Sequence, residues 1–421
     1  MRGLISLMLA LLMLLIPPAR ATGNSFAIRD VRLFDGARVI PRATVIVRDG
    51  IVVRLARGAR IPASLEVIDG KGRTLLPGLI DSHVHVFPGA QADALRFGVT
   101  TELDMFSLRP DFPRWRTQRQ SLTRTAEADT WSAGLGVSAP GGHPSGTMPG
   151  SADIATLADP FQADAFVAAR IEEGSDYVKI ILEDNSFLTP DRLVPALSTG
   201  TVCAAVRAAH RRGKLAIVHA SRLRDARTAI ECRADGLAHL FADALADPGF
   251  IALARARKVF IQSTLGVVAA GSEMALVPQF YAEPEVAALL STAQKKMLAA
   301  GFYGPVRPRG IGSALQSVRL LHAAGIPLMA GSDAPNPGAP HGAGLHLELR
   351  LLVLAGLPPI DALRAATSIP AARFDLPGRG RIAAGSRADL LLVRGDPTTN
   401  IAATTAIERV WKNGFPVASA P

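Results

Sequence analysis

The chain opens with an apolar run, Leu4 to Ile16, preceded by Arg2 and followed by Pro17-Pro18 and Ala19-Arg20-Ala21. A basic start, a short apolar stretch and an A-x-A site describe a cleavable export signal rather than a membrane span. Residues 1–21 are therefore expected to be removed. From Phe26 to Ile68 apolar and polar residues alternate in short strand-like runs, with Asp49-Gly50 marking a tight hairpin. The same texture returns at Ala388–Arg394 and Ala406–Val417, the latter turning at Asn413-Gly414. Two β-rich ends around a different middle predict one small domain assembled from residues 22–75 and 376–421.

The middle, residues 76–375, has another rhythm. Short apolar strands are predicted at Leu79–Val86, Val99–Asp104, Ser132–Val137, Tyr177–Leu182, Leu215–His219, Gly236–Leu240, Val259–Ser263 and Pro327–Ser332. Helical periodicity falls between them, as at Val202–Arg212, Arg224–Arg233 and Ser313–Ala324. Strand and helix alternating in this way predict an α/β architecture, a (β/α)8 TIM barrel carrying a small β-sandwich domain formed from both termini. No G-x-G-x-x-G joins a strand to a helix, which weighs against a dinucleotide site. The long insertion between Thr264 and Gly310, after the seventh strand, is expected at the active-site rim or as a lid.

Composition adds two constraints. The net charge is +10, yet only 7 of the 46 basic residues are Lys and no long basic block exists, so neither nucleic acid nor an anionic membrane is an expected partner. Export places Cys203 and Cys232 in an oxidising compartment, periplasmic or secreted. Parallel barrel helices would nevertheless hold these residues at opposite ends of neighbours, about 10 Å apart along the axis. Two free, largely buried thiols are the expectation.

Chemistry concentrates at the strand ends. His83 and His85 are two residues apart on one strand, so both imidazoles face the same way and suit a divalent ion such as zinc. Lys179 lies inside an apolar strand, where an unpartnered ammonium is costly. His219, His239 and Asp333 end three further strands. In a barrel all of these converge on one face. His143, in PGGHPSGTMPG, is a candidate for contact with a substrate carbonyl, and His341 and His346 are lesser ones. His210 and His322 fall on helical patterns and read as structural.

With these residues in place, the chain resembles the amidohydrolase superfamily, and within it the imidazolonepropionase-related or Xaa-dipeptidase-like branch. The resemblance rests on LLPGLIDSHVHV, the lysine strand, the two histidine strands, GSDAPNPG, HLELRLLVLAGLPPIDALRAAT and GRIAAGSRADLLLVRGDP. It implies two divalent metal ions: His83 and His85 on one, His219 and His239 on the other, a carboxylated Lys179 bridging them, and Asp333 both ligand and proton shuttle. It also implies metal-assisted hydrolysis of an amide C–N bond in a small substrate, a dipeptide or an N-acyl amino acid. Lactone or cyclic-amide opening is the alternative within enzymes, and a periplasmic ligand-binding protein the alternative outside them. A homo-oligomer is possible, and no stable membrane anchor is expected after cleavage. Two segments depart from the resembled pattern. Leu182-Glu183-Asp184 stands where many relatives have Gly-Gly, and Ala238-His239-Leu240 where they have Glu-His-Gly.

Overall fold

The computed structural model describes residues 23–187, 191–301 and 310–418; the expected export signal lies outside them. In chain order the first strands are β1 (Phe26–Phe34), β2 (Val39–Arg48), β3 (Ile51–Ala56), β4 (Glu66–Asp69) and β5 (Arg73–Pro77). The central strands are β6 (Leu79–Val84), β7 (Val99–Asp104), β8 (Asp129–Ser132), β9 (Val178–Ile181), β10 (Ala216–His219), β11 (Gly236–Ala238), β12 (Phe260–Gln262) and β13 (Leu328–Met329). β14 (Leu390–Arg394), β15 (Ile407–Lys412) and β16 (Phe415–Pro416) close the chain.

Both termini do build one sheet. Its order is β16-β15-β14-β5-β1-β2-β3, with β4 also on β1, and the seam between the two ends is the antiparallel pair β5–β14. Both foreseen hairpins form: Asp49 and Gly50 have φ of 48° and 77°, Asn413 and Gly414 of 55° and 77°. Positive φ at both central positions gives the turn twist that antiparallel strands require. One face of the sheet encloses its own core, in which Phe26 stacks on Trp411 at 5.0 Å.

The central strands form two parallel sheets, β6-β7-β8 and β9 through β13 in sequence order. Isolated parallel bridges join them at both edges, Val84 to Ala334 and Val137 to Ile180. At the first seam the Asp333 amide donates to the His83 carbonyl at 2.8 Å, and the His85 amide to Ala334 at 2.7 Å. The third strand begins earlier than its sequence suggested, at Asp129. Gly134, with φ of 61°, breaks the pairing before Val137 rejoins β9. Inward-facing Ile80, Trp131, Tyr177, Ile217 and Phe260 share a cluster with Phe374, which packs edge-on against Tyr177 at 5.1 Å. This apolar floor leaves the opposite, carboxyl ends of the strands for chemistry.

A buried ionic knot fastens the terminal sheet to the centre. The Lys412 ammonium, fully buried, lies 2.8 Å from Asp129 and 2.9 Å from Asp389, and Arg379 also reaches Asp129.

The insertion after β12 is helical, with segments Leu265–Gly271, Leu276–Tyr281, Pro284–Ala287 and Thr292–Ala300. It is anchored beside the loop that follows Asp333: Tyr281 donates to the Gly338 carbonyl at 2.7 Å, and Gln294 to that of His341 at 2.8 Å.

The cysteine expectation is overturned. Cys203 and Cys232 form a disulfide, with Cα atoms 4.6 Å apart. The physical reason is unequal helix length. Helix Thr199–Arg211 has 13 residues, whereas helix Leu223–Glu231 has 9 and stops beside the first turn of its neighbour. Arg233, in a left-handed conformation, then turns the chain toward Asp235, which meets His210 near the far end of the longer helix.

Candidate metal centre

His83 lies on β6 and is fully buried, while His85 just beyond that strand is half-buried. Each is oriented through Nδ1: His83 against the Gln262 side-chain oxygen at 3.2 Å, His85 against the Phe106 carbonyl at 3.1 Å. Both therefore present Nε2 to the same space, where Oδ1 of Asp333 lies 3.4 Å from the first and 3.0 Å from the second. One atom from each of these three residues fits within a 4.8 Å cluster. Gly331 makes the approach possible, since a Cβ there would stand 2.7 Å from that of His83.

The other expected residues surround this group. The rings of His83 and His239 are 4.5 Å apart and those of His239 and His219 are 4.4 Å apart. Nδ1 of His239 lies 3.0 Å from the Thr264 hydroxyl and 3.7 Å from Asp333. His219 turns Nε2 to the Glu183 carboxylate at 3.1 Å. The buried Lys179 is close enough to bias His83, His143 and His239 electrostatically, and Asp333 and Asp104 are its counter-charges. His143 stands above His219, ring centres 5.7 Å apart, with Nδ1 held at 2.7 Å by Thr147.

Backbone strain marks the same ring. His239, Thr264 and Asp333 all have positive φ, at 73°, 45° and 58°. Non-glycine residues held in this region cost about 1–3 kcal/mol each and persist where surrounding structure imposes them.

Burial sets the protonation states. It drives His83 and His239 well below the ordinary imidazole range, and takes His143 down to about 3. Desolvation likewise brings the Lys179 amine down to about 7. His83, His143 and His239 are thus held as neutral imidazoles, the form in which histidine offers a lone pair to a metal.

A cation fits these donors. Nε2 of His83 is buried with no hydrogen-bond partner, a costly state that a metal ligand bond relieves. Nitrogen donors with one carboxylate suit zinc and similar divalent ions.

Other candidates are placed elsewhere. His346 uses both nitrogens structurally, on Thr404 at 3.0 Å and the Phe97 carbonyl at 2.8 Å, so it is not a substrate contact. His341 is buried against Glu102 at 2.7 Å. His210 and His322 pair with Asp235 and Asp361, as structural histidines should. Sequence reasoning missed Gln262 as the orienter of His83, and it noted Glu183 only as a departure; nothing in their local pattern announces either role.

A model described as the amidohydrolase family matches residues 74–417. An uncharacterized protein of Mycobacterium tuberculosis is 39% identical over 84 residues, 18% of this chain and 14% of that protein. The chain's match thus spans about one-seventh of that relative's length. Among solved structures, a Xaa-Pro dipeptidase with methionine bound in its active site superposes with a TM-score of 0.72 at 21% identity, covering 93% of this chain and 99% of that one. Molinate hydrolase superposes with a TM-score of 0.71 at 20% identity, covering 94% and 95%. At these identities the likeness is one of fold.

Proposed function

Since the chain belongs to the amidohydrolase family, and is accordingly a hydrolase, we propose that it is an exported, metal-dependent enzyme cleaving an amide-type C–N bond in a small substrate. The carrying observation is the convergence of the His83 and His85 Nε2 atoms with the Asp333 carboxylate. We read the two bridged parallel sheets as the (β/α)8 barrel that brings these strand ends to one mouth.

In this reading His83, His85 and Asp333 would hold one divalent cation, zinc by donor chemistry, and His219 and His239 would contribute to a second. Lys179 would be a further ligand once its amine has added CO2, giving a carbamate and releasing a proton. An amine depressed to about 7 supports that role, because only the neutral form is nucleophilic. Bound cations at such a site supply Lewis acidity, lowering the pKa of a water and polarising a carbonyl.

The chain's own residues perform the remaining work. Asp333, at the centre of the donors, accepts the proton of the attacking water and passes it to the leaving nitrogen. His143, neutral and tethered by Thr147, offers Nε2 to the substrate carbonyl oxygen. Ile80, Tyr177 and Phe260 close the floor and keep bulk water from entering behind the site.

Export is supported by the Cys203–Cys232 disulfide, which suits an oxidising compartment. The test is turnover of a panel of dipeptides, N-acyl amino acids and lactones by purified protein with and without chelator. Chelator-sensitive release of an amine supports the proposal. Lactone-only turnover would redirect it to ester chemistry, and binding without turnover would defeat it. Lys179→Ala should lose at least one ion, and ¹³C-bicarbonate should give a carbamate signal that this variant lacks.

A further inference from the structure

Glu183 is a carboxylate set directly behind His219. Its side chain is 1% exposed, so it does not face substrate. All of its bonding capacity is directed inward. Oε2 receives His219 Nε2 at 3.1 Å and the Ser221 hydroxyl, and Oε1 receives the Asn185 amide at 2.5 Å. Asn185 itself has φ of 63°, a left-handed turn that brings this amide back toward the carboxylate.

A carboxylate accepts and cannot donate, so the His219 atom facing it must carry the hydrogen. That fixes one tautomer, protonated at Nε2 with a lone pair on Nδ1. The ring of His219 also lies between those of His143 and His239, which limits its rotation.

We propose that Glu183 is a positioning residue for the second cation: it holds His219 as the Nε2–H tautomer and aims Nδ1 into the site. The proposal rests on the metal-hydrolase reading above. Carboxylates behind metal-bound imidazoles raise their basicity and fix their orientation, and losing one typically weakens metal binding 10–100-fold.

The first test needs no substitution. ¹⁵N-histidine NMR of the zinc-loaded protein should show His219 protonated at Nε2 and metal-bound at Nδ1. The reverse assignment overturns the proposal. The second is a zinc titration against a chromophoric chelator, using wild type, Glu183→Ala and Glu183→Gln. Wild type should bind two ions. Glu183→Ala should weaken one of them 10–100-fold and leave the other unchanged. Glu183→Gln should recover part of the loss, because its carboxamide oxygen can still accept the Nε2 proton. Equal affinities in all three proteins overturn the proposal.

Cobalt(II) spectra at saturation separate positioning from ligation. Bands matching wild type in Glu183→Ala fit positioning, whereas a changed coordination number makes Glu183 a ligand and overturns it. If Glu183→Ala does not fold, the wild-type NMR assignment decides. Wild type binding no divalent ion overturns the metal reading itself, and this proposal with it. Two ions bound with unchanged affinities remove Glu183 alone.

Discussion

The Gln262 side-chain oxygen faces Nδ1 of His83 at 3.2 Å, while the amide nitrogen of the same residue donates to the Ser82 carbonyl. The amide is therefore fixed at both ends, and its oxygen can only accept. His83 must carry its hydrogen on Nδ1, which leaves Nε2 bare toward Asp333. Gln262→Ala should weaken the proposed metal site at His83, His85 and Asp333 10–100-fold. Gln262→Glu, which keeps an acceptor there, should lose less. Calorimetric zinc titration checks both, and equal affinity in wild type and Gln262→Ala would falsify the orienting role.

Asp333→Asn keeps the volume of the side chain and one oxygen, but removes the carboxylate that accepts a proton. Turnover should fall ~10²–10⁴-fold while much of the metal is retained. Metal analysis beside steady-state rates decides the matter. Activity within about twofold of wild type removes Asp333 from proton transfer.

Thiol titration of unfolded, unreduced protein should find no free thiol at Cys203 or Cys232. The two residues are 29 positions apart, a loop for which chain entropy gives about 3–4 kcal/mol of stabilisation. The Cys203→Ala, Cys232→Ala double variant should lose a comparable amount in urea unfolding. A stability equal to wild type would show that the bond constrains little.

Lys412 neutralises two carboxylates where nothing is exposed. Lys412→Met preserves much of the length and leaves Asp129 and Asp389 facing Arg379 and Arg387 alone. Breaking a buried pair in this way should cost about 3–5 kcal/mol. Thermal and denaturant melts measure it, and a loss below about 1 kcal/mol would mean the two arginines suffice.

The parts of this molecule that were legible in its sequence are those governed by local period. Asp49-Gly50 and Asn413-Gly414 announce their hairpins because few other dipeptides accept two positive φ values in succession. His83 and His85 announce a shared face because strands repeat every two residues. Contacts between distant segments left no such trace. Gln262 meets His83 across 179 positions of sequence and Glu102 meets His341 across 239, and neither pattern differs from an ordinary buried strand. The disulfide was hidden for a related reason. Periodicity gave the direction of both helices, but whether the sulfurs met depended on helix Leu223–Glu231 stopping two residues short of the expected Arg233.

The pairing of β5 with β14 has a consequence for the order in which the molecule can be made. Arg73–Pro77 leaves the ribosome more than 300 residues ahead of its partner Leu390–Arg394. Until that partner arrives, β5 presents an open edge, rich in Leu and Thr, to any other extended chain. Lys412, which pairs with Asp129 and Asp389, comes later still. The terminal sheet therefore cannot be completed until the last residues of the chain are made. Truncation that removes β14 and β15 should loosen β1 to β5 as well, and proteolysis of such a product should begin in those strands, far from the cut.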